Sequence, residues 1–244
     1  MKLELPHIDR IWLLLMLVLG SALSLTLTSS LFELTVFLSG ILCVTLIAIG
    51  RREGYLIGIY ACLSYAVLAY SNGLFGEVYL NLYFFIPTNL FGYWLWHQHS
   101  KGSAAVAMRK LTTKTRLIIL LACILGTHGL GFLLAMNAEQ NSPYIDALTN
   151  VLSVAATFLM MWRFKEQWLL YIAINVVSIM MWLLRAMDGG AAGDLMVLMW
   201  SLYLLNSLFG YWRWHIGEQQ QRSITGANNS SSNTTSETAA CNAD

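Results

Sequence analysis

Asn175, Ser178 and Trp182 lie three and four residues apart in one apolar stretch, which puts an amide, a hydroxyl and an indole along a single helix face. Such a stripe suits a flat, polar, heteroaromatic ligand. The indole stacks on the ring, more strongly if the ring is cationic. The amide and hydroxyl bind a carboxamide or sugar hydroxyls. The competing reading is packing, with Asn175 paired to a neighbouring helix and Trp182 anchored at an interface. More neutral polar residues fall inside apolar runs: Asn81, Asn89, Thr149, Asn150, Ser153 and Asn206. At membrane depth such side chains are costly and usually face a bundle interior or a water-filled cavity. Tyr83 and Phe84 are the next candidates for stacking if Trp182 only packs.

Few of these groups titrate. Glu33 and Asp146 stand at the outer ends of their runs, and His128, the deepest histidine, stands alone. No Lys or Arg falls at mid-run depth, and Arg185 lies near one end. Proton coupling and binding of a phosphate dianion are both disfavoured on this pattern, because a buried unpaired charge is expensive. There is no Walker, HExxH or GxSxG motif. The four cysteines show no CxxC spacing, so no metal site and no disulfide framework is indicated. Catalysis, metal and cofactor are not expected.

The elements that position these residues are membrane spans. The chain is 57% hydrophobic and only 11% charged, with a mean hydropathy of +0.59; a soluble domain carries roughly a quarter charged residues. A net charge of +1 gives no field for nucleic acid. Nine Trp and eleven Tyr suit many membrane–water interfaces. Runs near the roughly 20 residues that cross a bilayer occur at 11–30, 31–50, 54–74, 79–97, 116–136, 144–162, 167–187 and 194–213. Alternate linkers are basic, with Arg51 and Arg52, then Lys101, Arg109, Lys110, Lys114 and Arg116, then Arg163 and Lys165, then Arg213 and Arg222. The positive-inside rule therefore predicts both termini in the cytoplasm. A signal-peptide reading of the first run, cleaved near Ser21–Ser24, leaves the remaining topology unchanged.

The string NLFGYWLWH at 89–97 returns as NSLFGYWRWH at 206–215. Upstream, Glu33 matches Asp146, Ser39 matches Ser153, Glu53 matches Glu166, Tyr55 matches Trp168 and Ser64 matches Ser178. The offset stays near 113 and grows to 117, which pairs Asn89 with Asn206 and Asn175 with Ala61. Two three-helix units with one helix between them point the same way, an arrangement of secondary transporters. The sequence thus divides into an N-terminal tail and extra helix (1–30), a first repeat (31–97), a basic loop and linking helix (98–142), a second repeat (143–215) and a polar, disordered tail (216–244). Gly92 and Gly210 allow close helix approach. Trp94, Trp96, Trp212 and Trp214 read as interface anchors and gate packing. Pro87, which faces Leu204 in the second copy, predicts a kink.

The segments NLYFFIPTNLFGYWLWH and NVLSVAATFLMMWRFKEQWLLYIAINVVSIMMW resemble the PnuC transporters of bacteria, over about residues 31–215. The resemblance implies an all-α membrane protein with a three-plus-one-plus-three helix core, SWEET-like, and an additional N-terminal helix. It implies nicotinamide riboside as substrate in the bacterial inner membrane, moved by facilitated diffusion and trapped by a cytoplasmic kinase. It implies Asn81, Asn175, Ser178 and Trp182 as lining the ligand site. Thiamine or another nucleoside-like vitamin is the alternative substrate within the family, and a non-transporting scaffold or sensor is the alternative outside it. Nothing in the sequence sets the oligomeric state, and a homo-oligomer stays open.

Overall fold

The structure is a computed structural model; it describes residues 6–25, 30–71, 78–99, 107–136, 143–187 and 193–241. The side chains of Trp182, Arg185, Asp146 and Leu68 fall outside that description, as do those from 221 onward. Eight α-helices occur among the described residues, one for each expected span: α1 (Pro6–Ser24), α2 (Leu31–Ala48), α3 (Glu53–Ser71), α4 (Ile86–His99), α5 (Thr113–Ala135), α6 (Pro143–Met161), α7 (Gln167–Met187) and α8 (Gly193–Cys241). By length and hydropathy alone four of these can cross a membrane: α1 from His7, α2, α5 and α6.

Local chemistry sets the helix ends. Pro6 and Pro143 open α1 and α6, where the missing N–H has no helical partner to lose. Ser30 caps α2 by accepting from the Glu33 amide at 3.2 Å, and Thr112 caps α5 by accepting from Thr115. α2 and α6 end in the same left-handed turn. Gly50 has φ 76° and Arg163 has φ 64°. The following amides, Arg51 and Phe164, reach back to Leu46 at 2.8 Å and Leu159 at 2.9 Å, which is the Schellman closure. A non-glycine residue in that region costs on the order of 1 kcal/mol. Arg163 is held there by pairing with Arg109: Arg109 N–H donates to Arg163 O at 2.8 Å, and Lys165 N–H to Arg109 O at 2.9 Å.

The expected kink near Pro87 takes the form of a π-helical segment, Leu80–Phe85, leading into α4. The Ile86 amide bonds back to Asn81, one residue further than in an α-helix. Proline has no N–H and its ring crowds the preceding turn, so the wider turn falls immediately before it.

α2 packs on α3, α7 on α8, and α5 on α6; α4 reaches α6, α8 reaches α2, and α1 lies on α2 and α8. One core joins Met16, Phe37, Ile41, Leu195 and Leu202 from α1, α2 and α8. A second, at the basic end of the bundle, joins Ile47, Ala48, Tyr55, Trp96, Met108, Trp168 and Trp214. The outward face of α5 is apolar, with Leu117, Leu125 and Leu133 each more than 60% exposed; a surface of this kind belongs against lipid.

α8 runs past His215 to Cys241, with Glu218 buried and Gly217 against Met108. Extending a formed helix adds one hydrogen bond per ordered residue without a new nucleus. The first helix packs on the bundle. Arg213 on α8 makes a bidentate pair with Asp9 on α1, at 2.7 and 3.0 Å, and Trp12 stacks on Phe209 at 4.3 Å.

Candidate functional site

Asn175 and Ser178 both point into the bundle, 3% and 6% exposed, as one stripe of α7 should. The Asn175 Nδ2 donates to Ser207 Oγ on α8 at 2.9 Å, and Ser207 in turn donates to the Tyr203 carbonyl at 2.8 Å. The pairing reading of Asn175 is thus realised, with a hydroxyl from the neighbouring helix. Trp182 lies on α7 one turn past Ser178, but its side chain is outside the described residues. Ser64 on α3 is buried and donates to the Tyr60 carbonyl at 2.8 Å. Asn81 is buried inside the π segment, where relaxed backbone geometry recurs at functional positions.

The two repeat asparagines do different things. Asn206, 1% exposed, donates to the Val44 carbonyl of α2 at 2.8 Å and accepts from Trp12 Nε1 at 3.1 Å. Both ends of its amide tie α8 to α2 and α1, which is interhelical glue. Asn89 donates to the Phe85 carbonyl at 2.8 Å and faces the Cys62 sulfur at 3.7 Å. It stays within the first half and does not meet Asn206. The position facing Asn175, as Asn89 faces Cys62, is Ser207. Aligning the two LFGYW strings without a gap pairs Asn89 with Ser207, so the signal for this missed residue was in the sequence.

Tyr83 and Phe84, the further stacking candidates, point different ways. Tyr83 is 74% exposed and stacks on Tyr79 at 5.9 Å, while its neighbour Phe84 reaches Phe158 of α6 at 6.3 Å. Successive helical residues point in different directions, so the two rings do not share a face. Thr149 is half-buried on α6 and donates to the Ile145 carbonyl at 3.4 Å. His128 sits on α5 with its ring 6.2 Å from that of Tyr144 on α6.

The repeated LFGYWxWH string has a structural use. A Cβ on Gly210 would lie 2.7 Å from the Trp168 ring, and one on Gly92 would collide with the Tyr55 ring. Each glycine is therefore a socket for the aromatic residue that opens α3 or α7. The second Trp of each string crosses the bundle. Trp96 Nε1 donates to Met160 and Met161 carbonyls at 3.2 Å, at the end of α6. Trp214 Nε1 donates to Ala48 O at 2.9 Å, at the end of α2. Both indoles reach carbonyls of a helix's last turn, where the backbone ladder runs out of donors; the Met160 carbonyl also accepts from the Arg163 amide at 3.0 Å. Trp96 and Trp214 are fully buried, whereas Trp94 and Trp212 are 52% and 44% exposed, so only the latter pair fits the role of interface anchors.

The basic end is held by paired charges. Glu166 accepts from Arg116 at 2.6 Å and from the Leu111 amide at 3.1 Å. Lys165 bonds Glu218 at 3.1 Å and His215 at 2.8 Å. Arg163 is buried, which pushes its guanidinium below the ordinary arginine value, and Arg109 nearby adds repulsion. Among the described residues no group of three or more His, Cys, Asp or Glu forms a metal cage.

A family model described as nicotinamide mononucleotide transporter matches residues 30–216. The chain is 36% identical over 181 residues to the nicotinamide riboside transporter PnuC of Haemophilus influenzae, covering 72% of this chain and 76% of that protein. It is 31% identical over 220 residues to the nicotinamide riboside transporter PnuC of Neisseria mucosa, covering 85% and 81%. A solved structure, the crystal structure of the vitamin B3 transporter PnuC, matches with a TM-score of 0.76 at 29% identity, over 89% of this chain and 94% of that one. With the family model spanning most of its length and two relatives above 30% identity, the chain belongs to the PnuC family of membrane transporters.

Proposed function

We propose that this protein carries nicotinamide riboside across the bacterial inner membrane by facilitated diffusion, with a cytoplasmic kinase retaining the product by phosphorylation. The observation that carries the substrate is the identity of 36% and 31% to proteins named for that nucleoside. The family model is named for the mononucleotide instead, and the residues favour the riboside. The buried polar groups of the candidate path are an amide and hydroxyls, Asn175, Ser207 and Ser178. No Lys or Arg lies at that depth in the sequence to pair a phosphate. The Asn175–Ser207 pair offers hydrogen bonds to a carboxamide or ribose, and Trp182, one turn on, offers an indole face for the pyridinium ring.

We infer further that α2–α4 and α6–α8 are two parallel units joined by α5. Support comes from the matched turns at Gly50 and Arg163, the matched sockets at Gly92 and Gly210, and the matched crossing indoles. α1 lies on α2 as α5 lies on α6. Loop charge supports eight crossings with both termini in the cytoplasm. The test is competition: radiolabelled nicotinamide riboside bound to purified protein, challenged with unlabelled riboside, mononucleotide and thiamine. Displacement by the riboside and not by the mononucleotide or thiamine is expected. If labelled riboside does not bind and labelled thiamine does, the substrate is reassigned, and binding of neither leaves a scaffold.

A further inference from the structure

The aromatic layer at the basic end closes the bundle across its axis. Trp96 and Trp214 lie with ring centroids 5.8 Å apart, and each binds the terminal carbonyls of a helix in the other half. Tyr55 stands edge-on to Trp96 at 5.0 Å, and Trp168 edge-on to Trp214 at 6.0 Å. Met108 packs into the same cluster, held in place by the backbone pairing of Arg109 with residues 163 and 165. Within and beside this layer several polar groups are buried. The Tyr55 hydroxyl, the Trp168 indole N–H and both ends of the Gln167 amide are buried without a hydrogen-bond partner among the described residues. Buried polar groups are normally satisfied, and leaving them unpaired destabilises the arrangement that buries them.

We propose that this layer is the gate at the cytoplasmic mouth of the path and that the two crossed indole bonds are its latches. Opening breaks the indole–carbonyl bonds and brings water to the Tyr55, Trp168 and Gln167 groups. The closed and open states thereby exchange one set of unmade hydrogen bonds for another, which keeps them close in free energy. A carrier that runs on the substrate gradient alone needs that balance. The substrate passing this gate is a polar nucleoside that wets the same groups. This rests on the transport reading and on the cytoplasmic orientation of the basic end.

Cys43 is a native reporter. It lies on α2 five residues before Ala48, about 7.5 Å deeper at helical rise, with its sulfur beside Gly58 of α3. The full chain with Cys62, Cys123 and Cys241 replaced by Ser is labelled with a charged, membrane-impermeant maleimide in right-side-out and inverted vesicles. Trp214→Phe keeps the ring and removes the latch donor. It should raise the Cys43 rate about fivefold from the cytoplasmic side and leave the outside rate unchanged. Trp96→Phe/Trp214→Phe should raise it further. Met108→Ala leaves both indoles intact and should give a smaller rise on the same side, which keeps the proposal testable if the Trp variants do not fold. Unchanged rates in the folded variants, equal rises on both sides, or a rise from outside alone would each overturn it. Labelling needs no substrate, so riboside uptake by the unaltered protein is scored separately. A protein that gates but does not carry the riboside refutes the transport reading and leaves the gate standing.

Discussion

Asn175 and Asn206 are the same side chain set to different work. Asn206 has both ends of its amide committed to other helices, so its replacement should destabilise the fold. Asn175 spends one donor on Ser207 and keeps its carbonyl oxygen for a ligand in our reading. Asn206→Leu should cost about 1–3 kcal/mol of stability by orphaning Trp12 Nε1 and removing the bond to Val44 O, read as a lowered melting temperature with affinity kept in the folded fraction. Asn175→Leu should cost about 1–3 kcal/mol of riboside affinity for the same reason, read by titration of purified protein. The same titration on Trp182→Ala should show a loss of about 1–2 kcal/mol, with Trp182→Phe recovering part of it because a ring face remains. If Trp182→Phe recovers nothing, the indole packs rather than stacks.

Among the elements, α1 is the one whose place rests on a buried charge pair. The side chains of Arg213 and Asp9 are 3% and 17% exposed. Removing one partner of such a pair leaves an uncompensated charge, at about 3–5 kcal/mol, whereas replacing both with apolar groups is far milder. Asp9→Leu should therefore lower thermal stability in detergent more than Asp9→Leu/Arg213→Met. Equal losses for the single and double variants would mean that α1 is held by Trp12 and Phe209 alone. Loss of α1 would unpair Arg213 and the Asn206 oxygen together. The π segment before Pro87 shows the reverse dependence, an element shape set within its own helix by one missing N–H.

For the whole molecule, the shortage of titratable groups at depth predicts transport without a coupling ion. His128 lies at the α5–α6 contact, away from Asn175 on α7. Uptake of free riboside into proteoliposomes should run to equal concentrations and stop, with or without a proton or sodium gradient. Accumulation above the outside concentration that collapses with such a gradient would show a coupling ion, and His128 would be the first residue to examine.

The sequence by itself determined the helices, their order, the repeated string and the family. Span length and cap chemistry are local: a helix closes its own hydrogen bonds, and a bilayer sets how many apolar residues cross it. The stripe of Asn175 and Ser178 was legible for the same reason, since 3.6-residue periodicity places them on one face. Only the tertiary structure decided which way each helix is turned about its axis and what it meets. That choice put Tyr83 outside and turned Phe84 toward Phe158 of α6. It set Ser207 rather than Asn206 against Asn175, and it carried Trp214 to the Ala48 carbonyl across 166 residues of chain. Those contacts join elements far apart in sequence and depend on how glycine sockets, rings and helix ends fit together, which no local pattern encodes.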